Sequence, residues 1–285
     1  REVARLCAGR DAASGLQLLD DNLEAFAARA MLARLAARTL DLQYYYWRSD
    51  LTGQLLLREI VMAADRGVRV RLLLDDFNTG GRDGGARTLA SHPNIAVRFF
   101  NPSRNRESAW RRNLELLLNA WSATRRMHNK AWIADDAAAI VGGRNIGDAY
   151  FDAGELTNFA DLDVLAIGPA VADATAIFER YWCSGASIVR RPRWQSAARL
   201  ANLRRTLDAA KEKPAARTYV DEVERIIASG RHFSQEETYW TSRVAVIADP
   251  PEKAAGRRAH EWIAGRILDH LASARTQVNV MSPYF

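Results

Sequence analysis

Cysteine is almost absent from this chain. Cys7 and Cys183 are its only two, too few for a disulfide framework, and neither lies at metal-ligand spacing from a histidine or from the other. The pair suits a reducing compartment. No apolar run approaches the ~20 residues that span a bilayer, so no transmembrane helix is expected. No signal peptide is visible, and a start at Arg1 rather than Met leads us to expect the natural N-terminus upstream. Histidine is scarce as well. Of the five, His92, His128, His232, His260 and His270, only His128 is followed two residues later by lysine. Neither sign of charge dominates strongly: 40 basic against 34 acidic residues leave a formal +6. That basic balance favours a polyanionic partner, either nucleic acid or an anionic membrane surface, without choosing between them. With 48% hydrophobic and 26% charged residues, a disordered or fibrous chain is excluded.

Hydrophobic spacing then sets out the elements. Leu23, Phe26, Ala27, Ala30 and Met31 fall at helical spacing, and Leu40 to Trp47 is β-prone. A helix is predicted over Leu55–Ala64, ended by Gly67, and a buried strand over Val68–Leu74. Asp75-Asp76 and a loop from Phe77 to Gly85 follow. A third strand is predicted over Ile95–Phe100, then a basic loop from Asn101 to Arg106 and a helix over Leu114–Thr124. Short strands are expected at Lys130–Ala134, Ala138–Val141 and Leu162–Ile167, with a helix over Ala170–Trp182. This alternation argues for an α/β sandwich around a mixed sheet.

Beyond it, Val189 to Pro214 is rich in Arg and Lys and reads as a helical connector continued by a helix over Tyr219–Ala228. A strand at Tyr239–Ala248 and a helix at Ala259–Ala272 come next. The end of the chain resembles its beginning. Ala37-Arg38-Thr39 precedes Leu40-Asp41-Leu42, and Ala274-Arg275-Thr276 precedes Val278-Asn279-Val280. Each follows an amphipathic helix and leads to aromatics. If this is a repeat, a second copy opens here. The expected organisation is therefore a catalytic half at 1–190, a helical connector at 191–235 and the opening of a second half at 236–285.

The chemistry concentrates at His128-Asn129-Lys130, Asp135 and Gly142-Gly143-Arg144-Asn145. Alternation along a strand puts His128 and Lys130 on one side and Asn129 on the other. An imidazole beside an ammonium suits a phosphodiester. The neutral ring can attack phosphorus, dividing one hard displacement into two. The lysine places charge on the phosphoryl oxygens. Gly142-Gly143 allows close approach of the backbone, and the Asn145 amide can donate to another oxygen. Taken singly, each piece is no more than a surface histidine or a tight turn.

Taken in order, His128-x-Lys130-x4-Asp135 followed by Gly142-Gly143-x-Asn145 resembles the HKD motif of the phospholipase D superfamily. Gln43-Tyr44-Tyr45, the run Arg66 to Asp76, Phe100-Asn101-Pro102, Arg126 to Lys130, Val141 to Asp148, Tyr150-Phe151 and Asp161 to Val164 are similar to bacterial cardiolipin synthases, most of all the C-type. The resemblance implies a phospholipase D-like fold and an enzyme that passes a phosphatidyl group through a phosphohistidine, without metal or other cofactor. His128 would be one of two active-site histidines, nucleophile or proton donor. Lys130 and Asn145 would bind phosphate oxygens. Gly143 stands where many members have Ser or Thr, so its backbone is the expected substitute contact. Asp163 matches the acidic residue that helps orient a histidine, and Asp135 matches the motif aspartate that mainly holds structure. The family uses two such motifs face to face, and this chain has one. Its partner is expected beyond residue 285 or on a second copy of the chain.

The implied partners are phosphatidylglycerol, phosphatidylethanolamine and the anionic surface of a bacterial cytoplasmic membrane, held peripherally. A hydrolase or nuclease of the same superfamily, or a silent half-enzyme, stays open. A nuclease would show a basic groove without an apolar slot. Three further features have two readings each. Trp110, Leu114, Leu117, Leu118 and Trp121, flanked by Arg111, Arg112, Arg125 and Arg126, suit either a membrane surface or the core. Asp75-Asp76 reads more readily as a turn cap than as a metal site. Tyr44, Tyr45, Tyr46 and Trp47 suit a strand end at the rim of the site, or base stacking.

Overall fold

The computed structural model describes residues 2–76, 84–102, 126–155, 157–189, 197–256 and 262–280. The Trp-bearing helix expected over Leu114–Thr124, and most of the loops expected at Phe77–Gly85 and Asn101–Arg106, lie outside the described residues. In chain order the elements are α1 Glu2–Cys7, β1 Ser14–Leu19, α2 Asn22–Leu35, β2 Thr39–Tyr44, α3 Leu51–Asp65, β3 Arg69–Asp75, α4 Gly84–Leu89 and β4 Ile95–Phe100. Then come β5 Ala131–Ala134, β6 Ala138–Gly142, β7 Asp163–Ile167, α5 Ala170–Trp182, β8 Ser187–Val189, α6 Ala197–Lys211, α7 Pro214–Ala228, β9 Tyr239–Thr241 and α8 Ile263–Ser273.

The strands form one mixed sheet in the order β8-β4-β3-β2-β5-β6-β7-β1-β9. β2, β3 and β4 run parallel, as expected of strands joined through helices, and the other pairings are antiparallel. Alternation divides the core in two. Leu40, Leu42 and Tyr44 of β2 join the cluster under α2 and α3, while Ala131 and Ile133 of β5 join the cluster under α5. α7 packs over α2, and α6 over α3. α2 is therefore enclosed on both sides, which is why it is alanine-rich and buried almost all round. Asp21 caps α2 by accepting from the Glu24 amide, and Asp50 caps α3 by accepting from the Gly53 amide. This is the expected α/β sandwich with a mixed central sheet. No described helix is long and apolar enough to cross a membrane.

Several expectations are corrected. β1 is missing from the predicted elements, because the alternation Leu16-Gln17-Leu18 is too short to mark a strand. It exists by pairing with β7 and β9. The strand predicted to Trp47 stops at Tyr44, and Trp47 instead bridges Ile146. The strand predicted over Tyr239–Ala248 is regular only to Thr241. Past it the chain crosses to the α5 side, where the Val246 amide donates to the Asp173 carboxylate instead of to a neighbouring strand. Val278–Val280 is exposed and unpaired, since no described strand lies beside it. Val189, read as the start of a helical stretch, instead ends β8 and pairs onto β4. The helix predicted from Tyr219 begins at Pro214, a residue suited to the first helical turn.

Candidate active site

The segment 126–130 leads into β5 and carries the histidine. Met127 is fully buried, and its backbone N–H donates to the carboxylate of Asp75 at 3.0 Å. Asp75 ends β3 and is itself buried. Arg126 lies 3.6 Å from the same carboxylate and donates to the Asn101 carbonyl at 3.1 Å. The aspartate that reads as a turn cap thus holds the residues just before His128.

His128 keeps an exposed edge, with the Tyr45 ring 5.0 Å from it between centroids. Lys130 is nearly buried. Its ammonium lies 2.9 Å from Nδ1 of His128 and 3.2 Å from Nε2, and it donates to the His128 carbonyl at 2.8 Å. The two side chains meet as the spacing predicts, although segment 126–130 precedes β5 rather than belonging to it. Burial drives the Lys130 pKa down to about 8, against the pull of Asp161 and Asp163. Partial burial lowers the His128 pKa too, helped by the charges of Lys130 and Lys253 and opposed by Asp161. At neutral pH the pair is an uncharged imidazole beside an ammonium, able to attack phosphorus and to balance the charge that develops.

Asn145 follows β6 and is buried. Its amide donates to the Tyr150 hydroxyl at 3.2 Å, and its Oδ1 has no partner among the described residues. It faces a cavity of about 340 Å³ whose wall includes Tyr45, Tyr46 and Arg48. Tyr45 is therefore common to Asn145 and His128. Asp148 anchors this loop by accepting from the Thr52 amide at 2.7 Å, while Asp50 accepts from the Asp148 amide at 2.9 Å.

Two glycines make room here for carboxylates. A Cβ on Gly142 would fall 2.1 Å from Asp163 Oδ1, and one on Gly143 would fall 2.0 Å from Asp161 Oδ1. The Gly143 N–H already donates to the Leu162 carbonyl at 3.2 Å. The Gly143 amide is thus taken up by that carbonyl just past the end of β6, and its missing side chain admits Asp161.

Asp163 opens β7. It is fully buried and pairs with Arg29 at 2.8 Å and Arg144 at 3.4 Å. Both guanidiniums face its Oδ2, and its Oδ1 accepts the Arg144 backbone N–H at 3.3 Å. Arg29 also donates to the Tyr44 hydroxyl at 3.0 Å. Arg144 ties the site to α2 through the Asn22 side chain at 2.9 Å and to β1 through the Leu19 carbonyl at 2.7 Å. Asp135 lies at the turn between β5 and β6 with φ of 56°. It accepts the backbone N–H groups of Ala37, Arg38 and Thr39 at 2.8, 2.7 and 2.8 Å. Burial pushes its carboxyl up, but these donors bring it below the ordinary aspartate value.

Sequence reading missed the cavity onto which His128 and Lys130 open. It measures about 450 Å³. Val141, Val164 and Ala166 of the sheet and Ile177 of α5 form one side, and Val244, Val246 and Ile247 form another. This second wall is pinned in place. The Val246 amide donates to Asp173 at 3.1 Å, and Asp249 ties to Tyr181 at 2.9 Å and to the Ile263 amide at 3.0 Å. The wall belongs to residues more than a hundred positions after His128, so local pattern cannot reveal it.

A family model described as "Cardiolipin synthase, PLD-like domain" matches residues 31–182. Cardiolipin synthase C of Escherichia coli K12 is 39% identical over 298 aligned residues, covering 99% of this chain and 60% of that protein. A cardiolipin synthase of Staphylococcus aureus Mu50 is 29% identical over 174 residues, 60% of this chain and 33% of that one. The chain thus spans less than two thirds of either relative. Among solved structures, phosphatidylserine synthase from Haemophilus influenzae Rd KW20 superposes with a TM-score of 0.47 at 14% identity, over 74% of this chain and 48% of that one.

Proposed function

Because the chain belongs to the family of phospholipase D-like domains of cardiolipin synthase, we propose that it is the first catalytic half of a phosphatidyltransferase acting on phospholipid phosphodiesters. A single observation carries this reading: an apolar cavity of about 450 Å³ ends on the His128–Lys130 pair. A phospholipid has the same polarity profile, an anionic phosphodiester joined to acyl chains. A nucleic acid offers no apolar tail to fill such a slot.

In this proposal the neutral His128 ring attacks phosphorus. A P–N bond forms, the P–O bond to the head-group alcohol breaks, and a second histidine gives that alcohol its proton. The acceptor hydroxyl then attacks phosphorus, losing its proton to the second histidine as the P–N bond breaks. With phosphatidylglycerol as acceptor the product is cardiolipin, and with water it is phosphatidic acid. Lys130 stabilises the charge on the phosphoryl oxygens in both steps, and Asn145 serves as a further donor. Asp135 and Asp163 act as scaffold.

The second histidine is assigned to another HKD half, in a longer polypeptide or a second chain. Residues 1–190 then form the first half, 191–235 the connector and 236–285 the opening of the next half. The basic balance fits peripheral binding to an anionic bacterial cytoplasmic membrane. The test is to incubate the full-length polypeptide, and separately residues 1–285, with vesicles of phosphatidylglycerol and phosphatidylethanolamine, reading products by mass spectrometry. Cardiolipin from the full-length protein alone supports the reading. Absence of any lipid product from either, with cleavage of oligonucleotides, overturns it in favour of a nuclease.

A further inference from the structure

Gln43 lies in the middle of the sheet, where β2 pairs it with Leu73 of β3 and Ala131 of β5. Its side chain is fully buried and lines the cavity shared with His128 and Lys130. Among the described residues, neither its Oε1 nor its Nε2 has a hydrogen-bond partner. An unpaired carboxamide in an apolar wall is destabilising. A leucine of similar volume would fill the position without that penalty. A polar group kept at such a place calls for a polar partner from outside the chain.

The polar residues of the cavity wall differ in exposure. His128 keeps an exposed edge, Lys130 is nearly buried and Gln43 is fully buried, with Val141, Val164 and Val246 among the other wall residues. A diacyl phospholipid has a matching order. Its phosphodiester comes first, then the acyl-ester carbonyls, then the hydrocarbon. With the phosphodiester at His128 and Lys130, the next acceptors inward are those carbonyls. We propose that Gln43 is a substrate-binding residue that donates an Nε2 hydrogen to an acyl-ester carbonyl of the phospholipid donor. It thereby fixes how far the lipid enters and favours ester-linked over ether-linked lipids. This inference rests on the phospholipid reading given above.

The experiment compares two donors that differ only at those carbonyls, diacyl phosphatidylglycerol and its dialkyl ether analogue. Both are presented in the same detergent micelles to the full-length polypeptide, as wild type, Gln43→Leu and Gln43→Met. One neutral hydrogen bond predicts that wild type favours the diacyl donor in kcat/KM by about five- to tenfold. In both variants the ratio of diacyl to ether kcat/KM should fall to about one, and both should unfold at a temperature no lower than wild type. Absence of a diacyl preference in wild type, or an equal loss on both donors in the variants, overturns the role of Gln43 and leaves the phospholipid reading standing. Absence of transfer from either lipid by wild type overturns that reading and the Gln43 assignment with it.

Discussion

The carboxylate of Asp75 accepts the backbone N–H of Met127 at 3.0 Å, one residue before His128. Two strands that are not neighbours in sequence, β3 and β5, are thereby coupled at the segment that carries His128. Asp75→Ala should lower kcat by about 10- to 100-fold, since displacements near 1 Å can cost that much, and should lower stability by about 1–3 kcal/mol. Asp75→Asn, which keeps an accepting oxygen, should recover much of the rate. Steady-state kinetics with thermal melts check both.

Removing the reactive pair should act on chemistry rather than on folding. His128→Ala should abolish transfer in the full-length protein, because no other histidine of this chain is followed by lysine at the same spacing. Lys130→Met should reduce kcat by about 10²- to 10³-fold, the scale of losing one charge-stabilising donor. Wild-type turnover in His128→Ala would rule out its role.

The pair should also titrate as a unit. The Lys130 charge holds the His128 pKa down, so Lys130→Met should raise it toward the ordinary histidine value, visible in an NMR titration of the ring. Lys130 binds anions only while protonated. With its pKa at about 8, affinity for a short-chain phosphatidylglycerol should fall as pH rises through that value. Lys130→Arg should remove this loss, because arginine stays charged.

Asp163 is a matter of stability. It balances Arg29 and Arg144 in the interior, so Asp163→Ala leaves buried guanidiniums without their counter-charge. The expected loss is about 3–5 kcal/mol, seen as a lower denaturant midpoint. Asp135→Ala removes three backbone contacts at a more exposed site. Its smaller loss, about 1–2 kcal/mol, should be present at neutral pH. The difference between wild type and variant should vanish as pH falls through the depressed Asp135 pKa, since only the ionised carboxylate supplies the extra stability.

Elements with a strong local period were legible in the sequence. The helix predicted over Ala170–Trp182 has those bounds in the structure, as does the strand Ile95–Phe100. The contact between His128 and Lys130 was legible because two-residue spacing is a local property. What escaped was set by distant partners. Arg29 and Asp163 are 134 positions apart, and nothing around either signals the other. β1 owes its existence to β7 and β9. Gln43 reads as one more strand residue until the cavity beside it is known, and nothing local signals that the Gly143 amide donates to Leu162.

The cavity wall at Val244–Ala248 separates two kinds of control. On the proposed phosphatidyltransferase reading, phosphorus chemistry lies between Arg126 and Asp163, whereas part of the slot's width and depth is set by a stretch that follows α7. Reshaping that stretch, for instance by enlarging Val246, would retune which chain lengths or unsaturations are admitted while the reacting atoms stay in place. Selectivity in this scaffold is thus an adjustable fitting attached to a fixed engine.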